Sequence, residues 1–248
     1  MGIQYELALC KKRTMNKLAL ITGASKGIGK AISEKLASQG IDLIITSRGR
    51  ADLEALKSNL ENTYGVTVFV FAADLSKKDG VRSFTDFVKG LKRNLDILVN
   101  NAGAFTQGGL MTEPEGALET QIDTNLYSAY YTTRGLIGLI RKAKHGHIFN
   151  ICSIASLQAY PNSGAYTISK FAMLGFSKSL RAELLPEKIK VTSIMPGATY
   201  TSSWEASGLP ESRFIKATDI ADTLWAAYSL SPSALVEDIV IRPLEGDI

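Results

Sequence analysis

The stretch LALITGASKGIGKAISEKLASQG, residues 18–40, decides the fold of this chain. It begins with five residues that are nearly all apolar or β-branched, which is typical of a buried strand. Ile28, Ile32 and Leu36 then recur at helical spacing, and Gly40 closes the pattern. The stretch therefore predicts a strand that leads through a glycine-containing turn into an amphipathic helix.

Three glycines, Gly23, Gly27 and Gly29, occupy the turn and the start of this helix. Glycine permits positive φ and places no Cβ between a ligand and the backbone. Free N–H groups and the helix dipole then favour a phosphate. Lys26 and Lys30 lie where acidic residues are normally preferred, and an anionic ligand would make them favourable. The alternative is a tight turn without a ligand, and the two lysines weigh against it.

Short β-rich runs alternate with helical patterns along the rest of the chain. The predicted strands are residues 17–22, 41–46, 66–71, 95–99, 147–152, 189–195 and 237–241. Almost continuously apolar strands, each followed by a helix, describe a parallel sheet covered on both faces. We therefore predict an α/β chain with a single-domain Rossmann fold, a doubly wound seven-stranded parallel sheet with helices on both faces. Ligands are expected at the carboxyl ends of its strands.

Composition limits the remaining possibilities. The 248 residues show no linker, so residues 15–248 are expected to form one domain and residues 1–14 an extension without chemistry. The net charge of +4 is small and scattered, which argues against nucleic acid as a partner. No apolar run is long enough to cross a membrane. With only two cysteines, neither a disulfide scaffold nor a metal site is expected, and a cytoplasmic location is the simplest interpretation.

The end of the second predicted strand bears on the choice of cofactor. An acidic side chain there would bond the ribose 2′-hydroxyl of a dinucleotide and repel a 2′-phosphate. This chain has Thr46, Ser47 and Arg48 instead. Together with Lys26, these residues predict NADP(H) in preference to NAD(H). The alternative is that Arg48 is only a solvated loop charge.

A second group of residues suits acid–base chemistry. Tyr166 and Lys170 are four residues apart in a helical pattern and therefore share a helix face. A nearby ammonium favours the phenolate and lowers the tyrosine pKa, which suits proton donation to a carbonyl oxygen that receives a hydride at carbon. Ser153, at the end of the fifth predicted strand, can hold the same oxygen. The alternative for an isolated Tyr-x3-Lys pair is a helix surface, and Ser153 weighs against it.

These motifs, taken in order, resemble the short-chain dehydrogenase/reductase family across residues 15–248. The landmarks are Thr22-Gly23-x3-Gly27-Ile28-Gly29, Asp74-Leu75, Asn100-Asn101-Ala102-Gly103, Asn125, Ser153, Tyr166-x3-Lys170 and Pro196-Gly197. The body of the chain is similar to 3-oxoacyl-acyl-carrier-protein reductases. Its C-terminal part, which lacks their glycine-rich last turn, is similar to bacterial sepiapterin reductases and other carbonyl reductases.

The resemblance implies roles for the matching positions. Asp74 would meet the adenine amino group with Leu75 nearby, Lys170 would also bind the nicotinamide ribose, and Asn125 would hold a water for proton relay. Either Thr199 or Thr201 would bond the carboxamide. The implied cofactor-binding set is Gly23, Ser25, Lys26, Gly27, Ile28, Gly29, Ser47, Arg48, Asp74, Leu75, Asn101, Ala102, Gly103, Tyr166, Lys170, Pro196, Gly197, Thr199 and Thr201; the catalytic set is Asn125, Ser153, Tyr166 and Lys170.

The substrate is expected beneath a loop near residues 199–216 and the segment after Ala104. The predicted apolar lining is Phe105, Leu157, Tyr160 and Trp204. The resulting prediction is an NADPH-dependent reductase of a small-molecule ketone or aldehyde. The alternatives are a 3-oxoacyl-acyl-carrier-protein reductase and a non-catalytic NADP-binding sensor or scaffold.

Three further expectations concern packing. His145 and His147 are expected at the surface, at the end of the sheet away from the ligands. Cys152 is expected in the core and not as a nucleophile. The family resemblance implies a homotetramer or homodimer, with Phe171, Leu174 and Lys178 on the outer face of the helix that carries Tyr166.

Overall fold

The computed structural model describes residues 16–201, 204 and 208–247. Its strands are β1 (Leu18–Thr22), β2 (Asp42–Ser47), β3 (Val68–Ala72), β4 (Ile97–Asn100), β5 (His147–Ile151), β6 (Lys190–Pro196) and β7 (Asp238–Ile241). They form one seven-stranded sheet in the order β3-β2-β1-β4-β5-β6-β7, and every neighbouring pair is parallel. The predicted doubly wound parallel sheet is confirmed, and each predicted strand lies within two residues of the observed one.

Helices cover both faces of the sheet. They are α1 (Gly27–Ser38), α2 (Arg50–Tyr64), α3 (Lys78–Gly90), α4 (Ala117–Ile122), α5 (Ser128–Ile140), α6 (Gly164–Leu184) and α7 (Ala217–Ser229). Residues of α1, α2 and α7 pack in one hydrophobic cluster, while residues of α3, α5 and α6 pack in another. Among the described residues, no helix is both long and apolar enough to span a bilayer.

The strands are mainly apolar because alternate side chains enter different cores. In β1, Ile21 belongs to the cluster with α1, whereas Leu20 belongs to the cluster with α3. Ile45 and Ile44 divide in the same way in β2. Since successive strand residues point to opposite faces, a sheet covered on both sides favours apolar residues at successive positions.

The order of the strands determines where a ligand can bind. β1 pairs with β2 on one side and with β4 on the other, so the chain changes direction across the sheet between β1 and β4. The loops that follow β1 and β4 therefore lie side by side at the carboxyl edge. In an open α/β sheet this crevice is where ligands bind.

His147 corrects one expectation. It is the first residue of β5, a central strand with β4 and β6 on its two sides, and it is 2% exposed. Its Nε2 lies 2.8 Å from Thr192 Oγ1 and its ring stacks on Phe149 at 3.9 Å. Burial, assisted by the charge of Lys190, lowers the pKa of His147 to about 3. His145, two residues earlier, is exposed as expected.

The position of Leu174 corrects the expectation that it lies on the outer face of α6. Phe171 is exposed, but Leu174 is buried in a small cluster with Cys152, Met173 and Met195. The physical reason is helical spacing, since Leu174 follows Lys170 by four residues and shares the face that α6 turns toward the sheet. Cys152 is buried as expected, and burial raises the pKa of its thiol to about 12.

Candidate active site

The glycine turn after β1 is tightly built. Gly23 and Gly27 have φ of +64° and +52°, in the region that side chains rarely adopt. A Cβ on Gly29 would lie only 2.3 Å from the Gly23 carbonyl oxygen. Lys26 is the N-cap of α1, and no acidic residue occupies the first turn of that helix. The turn thus presents backbone N–H groups at a helix N-terminus, with an exposed lysine beside them.

Asn101 braces this turn from the neighbouring loop. Its Nδ2 donates to Thr22 O at 2.9 Å and to Gly23 O at 3.0 Å. In return, Thr22 Oγ1 accepts from the backbone N–H groups of Asn101 and Ala102, each at 2.9 Å. The function of the Thr22 hydroxyl was missed from sequence. Its only signal is a hydroxyl residue at the end of an otherwise apolar strand.

The two candidate threonines after β6 have different surroundings. Thr199 is buried, and its Oγ1 donates to Gly197 O at 3.0 Å. Thr201 approaches the glycine turn, because its Cγ2 is 2.9 Å from the position of a Cβ on Gly27. Gly197 itself continues the pairing of β6 by donating to Ile241 O at 2.7 Å. Residues 202–203 and 205–207 of the predicted substrate loop lie outside the described residues.

Charged and polar groups stand at the ends of β2 and β3. Arg48 is exposed after β2, and among the described residues the buried Ser47 Oγ has no hydrogen-bond partner. Asp74 Oδ1 accepts from Ser76 N at 3.0 Å and Ser76 Oγ at 2.8 Å. Burial tends to raise the Asp74 pKa, but the Ser76 hydrogen bonds and the charges of Arg48 and Lys77 outweigh it and hold the pKa below its ordinary value. Asp74 is therefore a charged acceptor at neutral pH.

Lys26 has a closer acidic neighbour than the sequence indicated. Its Nζ lies 3.9 Å from Asp52 Oδ2 in α2, and both side chains are mostly exposed. Such an exposed pair contributes little to stability. The ammonium therefore stays accessible to an anionic ligand. Lys30 pairs with Glu34 one turn further along α1, at 3.8 Å.

Asn125 and Lys170 border Gly103, and Tyr166 lies beside Lys170. Lys170 is buried, and its Nζ donates to Ile151 O at 3.1 Å and lies 5.7 Å from the centroid of the Tyr166 ring. A Cβ on Gly103 would lie 3.0 Å from Asn125 Oδ1 and 3.7 Å from Lys170 Nζ. The absence of a side chain at Gly103 therefore leaves open the space that the amide and the ammonium both border.

Asn125 lies in an unusual helical turn. Residues Asp123–Tyr127, between α4 and α5, are π-helical, a conformation found frequently at functional sites. Asn125 Oδ1 accepts from Ala104 N at 2.7 Å, and its Nδ2 donates to Ala104 O at 3.0 Å and Ser169 Oγ at 2.9 Å. The side chain thus joins the loop after β4 to α6. The partner Ser169 was not singled out from sequence.

Ser153 follows β5 at the same edge of the sheet. It is the N-cap of a single 3₁₀ turn, Ile154–Ser156, and its Oγ accepts from Ala155 N at 3.1 Å. Lys170 contacts Ile151 O two residues before it. The serine hydroxyl is therefore held at the carboxyl end of the strand on which the lysine ammonium is anchored.

The predicted substrate-lining residues have separate environments. Phe105 is half exposed and packs edge-on against Tyr166 with ring centroids 4.9 Å apart. Trp204 packs on Phe214 at 5.2 Å, and Leu157 is exposed. Tyr160 is bound to the C-terminal segment, since its hydroxyl donates to Asp247 Oδ2 at 2.5 Å. Burial and this hydrogen bond raise the pKa of Tyr160, so it stays protonated.

The residues fit a dinucleotide phosphate cofactor. A Cβ on Gly23, Gly27 or Gly29 would lie 3.0 Å or less from another protein atom, so this turn is built with bare backbone. The unpartnered Ser47 Oγ and the exposed Arg48 lie one strand away, where an adenosine ribose with its 2′-phosphate would extend. No group of three or more His, Cys, Asp or Glu side chains among the described residues could hold a metal ion.

Comparison with known proteins agrees with this geometry. A family model described as short chain dehydrogenase matches residues 17–211. Sepiapterin reductase of Chlorobaculum tepidum is 33% identical over 243 residues, which cover 94% of this chain and 99% of that protein.

Two solved structures share the fold over nearly their whole length. An alcohol dehydrogenase from Thermococcus sibiricus, complexed with 5-hydroxy-NADP, matches with a TM-score of 0.86 at 27% identity, covering 93% of this chain and 97% of that one. L-sorbose reductase from Gluconobacter frateurii, complexed with NADPH and L-sorbose, matches with a TM-score of 0.85 at 25% identity, covering 92% and 95%. The predicted family resemblance is confirmed, and so is the similarity to bacterial sepiapterin reductases; the similarity to 3-oxoacyl-acyl-carrier-protein reductases is not specifically supported. The chain belongs to the short chain dehydrogenase family of oxidoreductases.

Proposed function

We propose that this protein reduces the carbonyl group of a small ketone or aldehyde with NADPH. The observation that supports the proposal is that Asn125 and Lys170 border the space beside Gly103, while the Lys170 ammonium lies 5.7 Å from the centroid of the Tyr166 ring. NADPH, when bound, supplies the hydride that reduces the carbonyl carbon.

The residues of this chain protonate and orient the oxygen of that carbonyl. Tyr166 donates its phenolic proton to the oxygen as negative charge develops there. The Lys170 ammonium stabilises the resulting charge on the tyrosine oxygen. Ser153 donates a hydrogen bond to the carbonyl oxygen and fixes its direction. Asn125 joins the loop after β4 to α6 through its bonds to Ala104 and Ser169. As the family resemblance implies, it would also hold a water through which the proton returns.

NADP(H) is proposed over NAD(H) on the basis of charge. Arg48 and Lys26 supply positive charge near the end of β2, and Ser47 supplies no carboxylate. The solved relatives from Thermococcus and Gluconobacter were complexed with 5-hydroxy-NADP and NADPH. Titrations with NADPH and NADH should show tighter binding of NADPH, and Arg48→Ala should remove most of the difference. Equal affinities in the wild type would contradict the assignment.

We propose that the substrate is a small carbonyl compound that packs against aromatic side chains. Phe105 and Trp204 offer aromatic faces, and the relatives include a sepiapterin reductase and an L-sorbose reductase. A panel of diketones, pterins, ketoses and acetoacetyl thioesters, followed by NADPH absorbance, would identify the class. Preferred turnover of the thioesters would favour the alternative, a 3-oxoacyl-acyl-carrier-protein reductase.

Tyr166→Phe tests the mechanism. The substitution removes one oxygen atom and should lower the rate of carbonyl reduction by about 10² to 10⁴. NADPH binding should survive, because the glycine turn and Arg48 are untouched. Lys170→Ala should impair both turnover and binding, since the ammonium is proposed to serve both. Tyr64→Phe, at the exposed end of α2, is the matched control and should behave as wild type.

Measuring NADPH binding and carbonyl reduction together also distinguishes an enzyme from a sensor. A non-catalytic NADP-binding protein would bind NADPH and show no carbonyl reduction by the wild type. If Tyr166→Phe reduced ketones at the wild-type rate, the role given to Tyr166 would be wrong.

A homo-oligomer is also proposed, as a dimer or tetramer. The exposed faces of α5 and α6 carry aromatic side chains, since Phe171 is 46% exposed and Tyr130 packs edge-on against Phe176 at 5.7 Å. Light scattering at micromolar concentration should give a mass of two or four chains. A monomeric mass would contradict this proposal without affecting the catalytic one.

A further inference from the structure

The first turn of the catalytic helix is capped from a distant loop. Ser163, the N-cap of α6, makes no capping bond; its Oγ instead donates to Tyr160 O at 2.7 Å. The N–H of Gly164 donates to Gly108 O at 3.1 Å, and the N–H of Ala165 donates to Glu113 Oε1 at 2.8 Å. The loop between β4 and α4 therefore supplies the acceptors that a helix N-terminus needs.

Two glycines make room for the Glu113 side chain. A Cβ on Gly108 would lie 2.6 Å from Glu113 Cγ, and a Cβ on Gly164 would lie 2.8 Å from Glu113 Oε1. The backbone of Glu113 is itself fixed, because its N–H donates to Gly109 O at 2.8 Å. The carboxylate thus occupies a space that a side chain at Gly108 or Gly164 would fill.

This contact adjoins the proposed proton donor. Glu113 accepts a hydrogen bond from the N–H of Ala165, which is the residue immediately before Tyr166. The same loop contacts Tyr166 itself through the edge-on ring of Phe105. A helix end without capping partners frays. The position of Tyr166 therefore depends on the groups that accept hydrogen bonds from the N–H groups of Gly164 and Ala165.

We propose that Glu113 is a positioning residue for carbonyl reduction. Its carboxylate, favoured by the positive end of α6, holds the first helical turn and the loop after β4 in one arrangement around Tyr166. This inference rests on the proposed function for its effect on rate. Its effect on the helix end does not depend on that function.

The kinetic test compares two substitutions at Glu113. Glu113→Ala leaves the Ala165 N–H without its acceptor and should lower kcat by on the order of tenfold to 10²-fold, as small displacements of a reacting group do. Its NADPH dissociation constant should stay within about twofold of the wild type, because the glycine turn lies in another loop. Glu113→Gln keeps an amide oxygen that can accept the same N–H and should recover most of the lost rate.

A matched control separates positioning from general destabilisation. Asp219 is a carboxylate at the start of α7, where its Oδ2 accepts from Lys216 N at 3.2 Å. Asp219→Ala removes such a contact from a helix that carries none of the proposed catalytic residues. We expect it to lower the melting temperature and leave kcat unchanged.

Hydrogen exchange of the protein alone completes the test. Backbone amides of residues 164–167 should exchange faster in Glu113→Ala than in the wild type, and at the wild-type rate in Asp219→Ala. Unchanged exchange, or a loss of kcat no larger than that of Asp219→Ala, would overturn the inference. A wild-type protein that reduces no carbonyl would refute the proposed function, while the exchange comparison would still decide whether Glu113 holds the start of α6.

Discussion

Replacing Gly29 by alanine should damage both the fold and the cofactor site. Gly29 lies in the first turn of α1, facing the turn that precedes it. An alanine Cβ there would lie 2.3 Å from Gly23 O and 2.5 Å from Asn101 Nδ2, whereas ordinary contact begins at 3.4 Å. Both neighbours would have to retreat by about 1 Å. They are bound to each other, because Asn101 Nδ2 donates to Gly23 O.

The size of the effect follows from two opposing contributions. Overpacking against groups that cannot move should cost about 3 kcal/mol, the upper end of the usual range. Alanine in place of glycine in a helix returns about 1 kcal/mol. The net loss of about 2 kcal/mol corresponds to a fall in Tm of about 4–8 °C for a domain of this size. A displaced glycine turn should weaken NADPH binding at least tenfold, about 1.4 kcal/mol.

Thermal denaturation with and without NADPH measures both quantities. Gly138→Ala is the matched control, because Gly138 is exposed in α5 and a Cβ there would point into open space among the described residues. This control should raise Tm by about 2–4 °C through helix propensity alone. Its added stability from NADPH should equal that of the wild type.

The reasoning can fail in two ways. If Gly29→Ala melts at or above the wild-type temperature, the contacts around Gly29 are looser than the distances indicate. If it is destabilised but binds NADPH with wild-type affinity, the glycine turn does not receive the cofactor phosphates.

Three further outcomes are expected from buried groups. Burial lowers the pKa of His147 to about 3, against an ordinary 6.5, so the unfolded state takes up the proton first as the pH falls. The free energy of unfolding should therefore fall by about 1.4 kcal/mol per pH unit between pH 6.5 and about pH 3. Urea denaturation of His147→Gln should show a weaker pH dependence. The Cys152 thiol, with its pKa raised to about 12 by burial, should resist iodoacetamide at pH 8 until the protein unfolds, as peptide mapping would reveal. Arg93→Met should cost about 3 kcal/mol in urea denaturation, because it leaves the Asp42 carboxylate, 2.8 Å from Arg93 Nη1, buried without its cation; an unchanged midpoint would contradict this expectation.

The strands and their order of appearance were predictable because they are local signals. A strand of a doubly covered sheet is apolar at most positions, and the helix that follows it is apolar at helical spacing. β1 and α1 satisfy both conditions within residues 18–40. The landmarks that follow each strand then lie at one edge of the sheet, because all strands run in one direction.

Neighbours from distant parts of the chain were not predictable. His147 precedes an apolar run and gives no sign in the sequence that strands cover it on both sides. The Thr22 hydroxyl accepts bonds from residues 101 and 102, and the Glu113 carboxylate accepts one from Ala165, 52 residues away. Leu174 differs, since its spacing from Lys170 already placed it on the inner face of α6.

The sequence by itself determined the parallel sheet, the glycine turn at its first helix and the helix face shared by Tyr166 and Lys170. Each of these features depends on residues that are close together along the chain. Only the tertiary structure decided which side chains brace these parts: Asn101 on the glycine turn, Asn125 on the loop after β4, and Glu113 on the start of α6. The physical reason is that a hydrogen bond requires its donor and acceptor to lie within about 3 Å. Periodicity along a chain determines which face a residue occupies, but the packing of whole elements determines which groups meet at that distance.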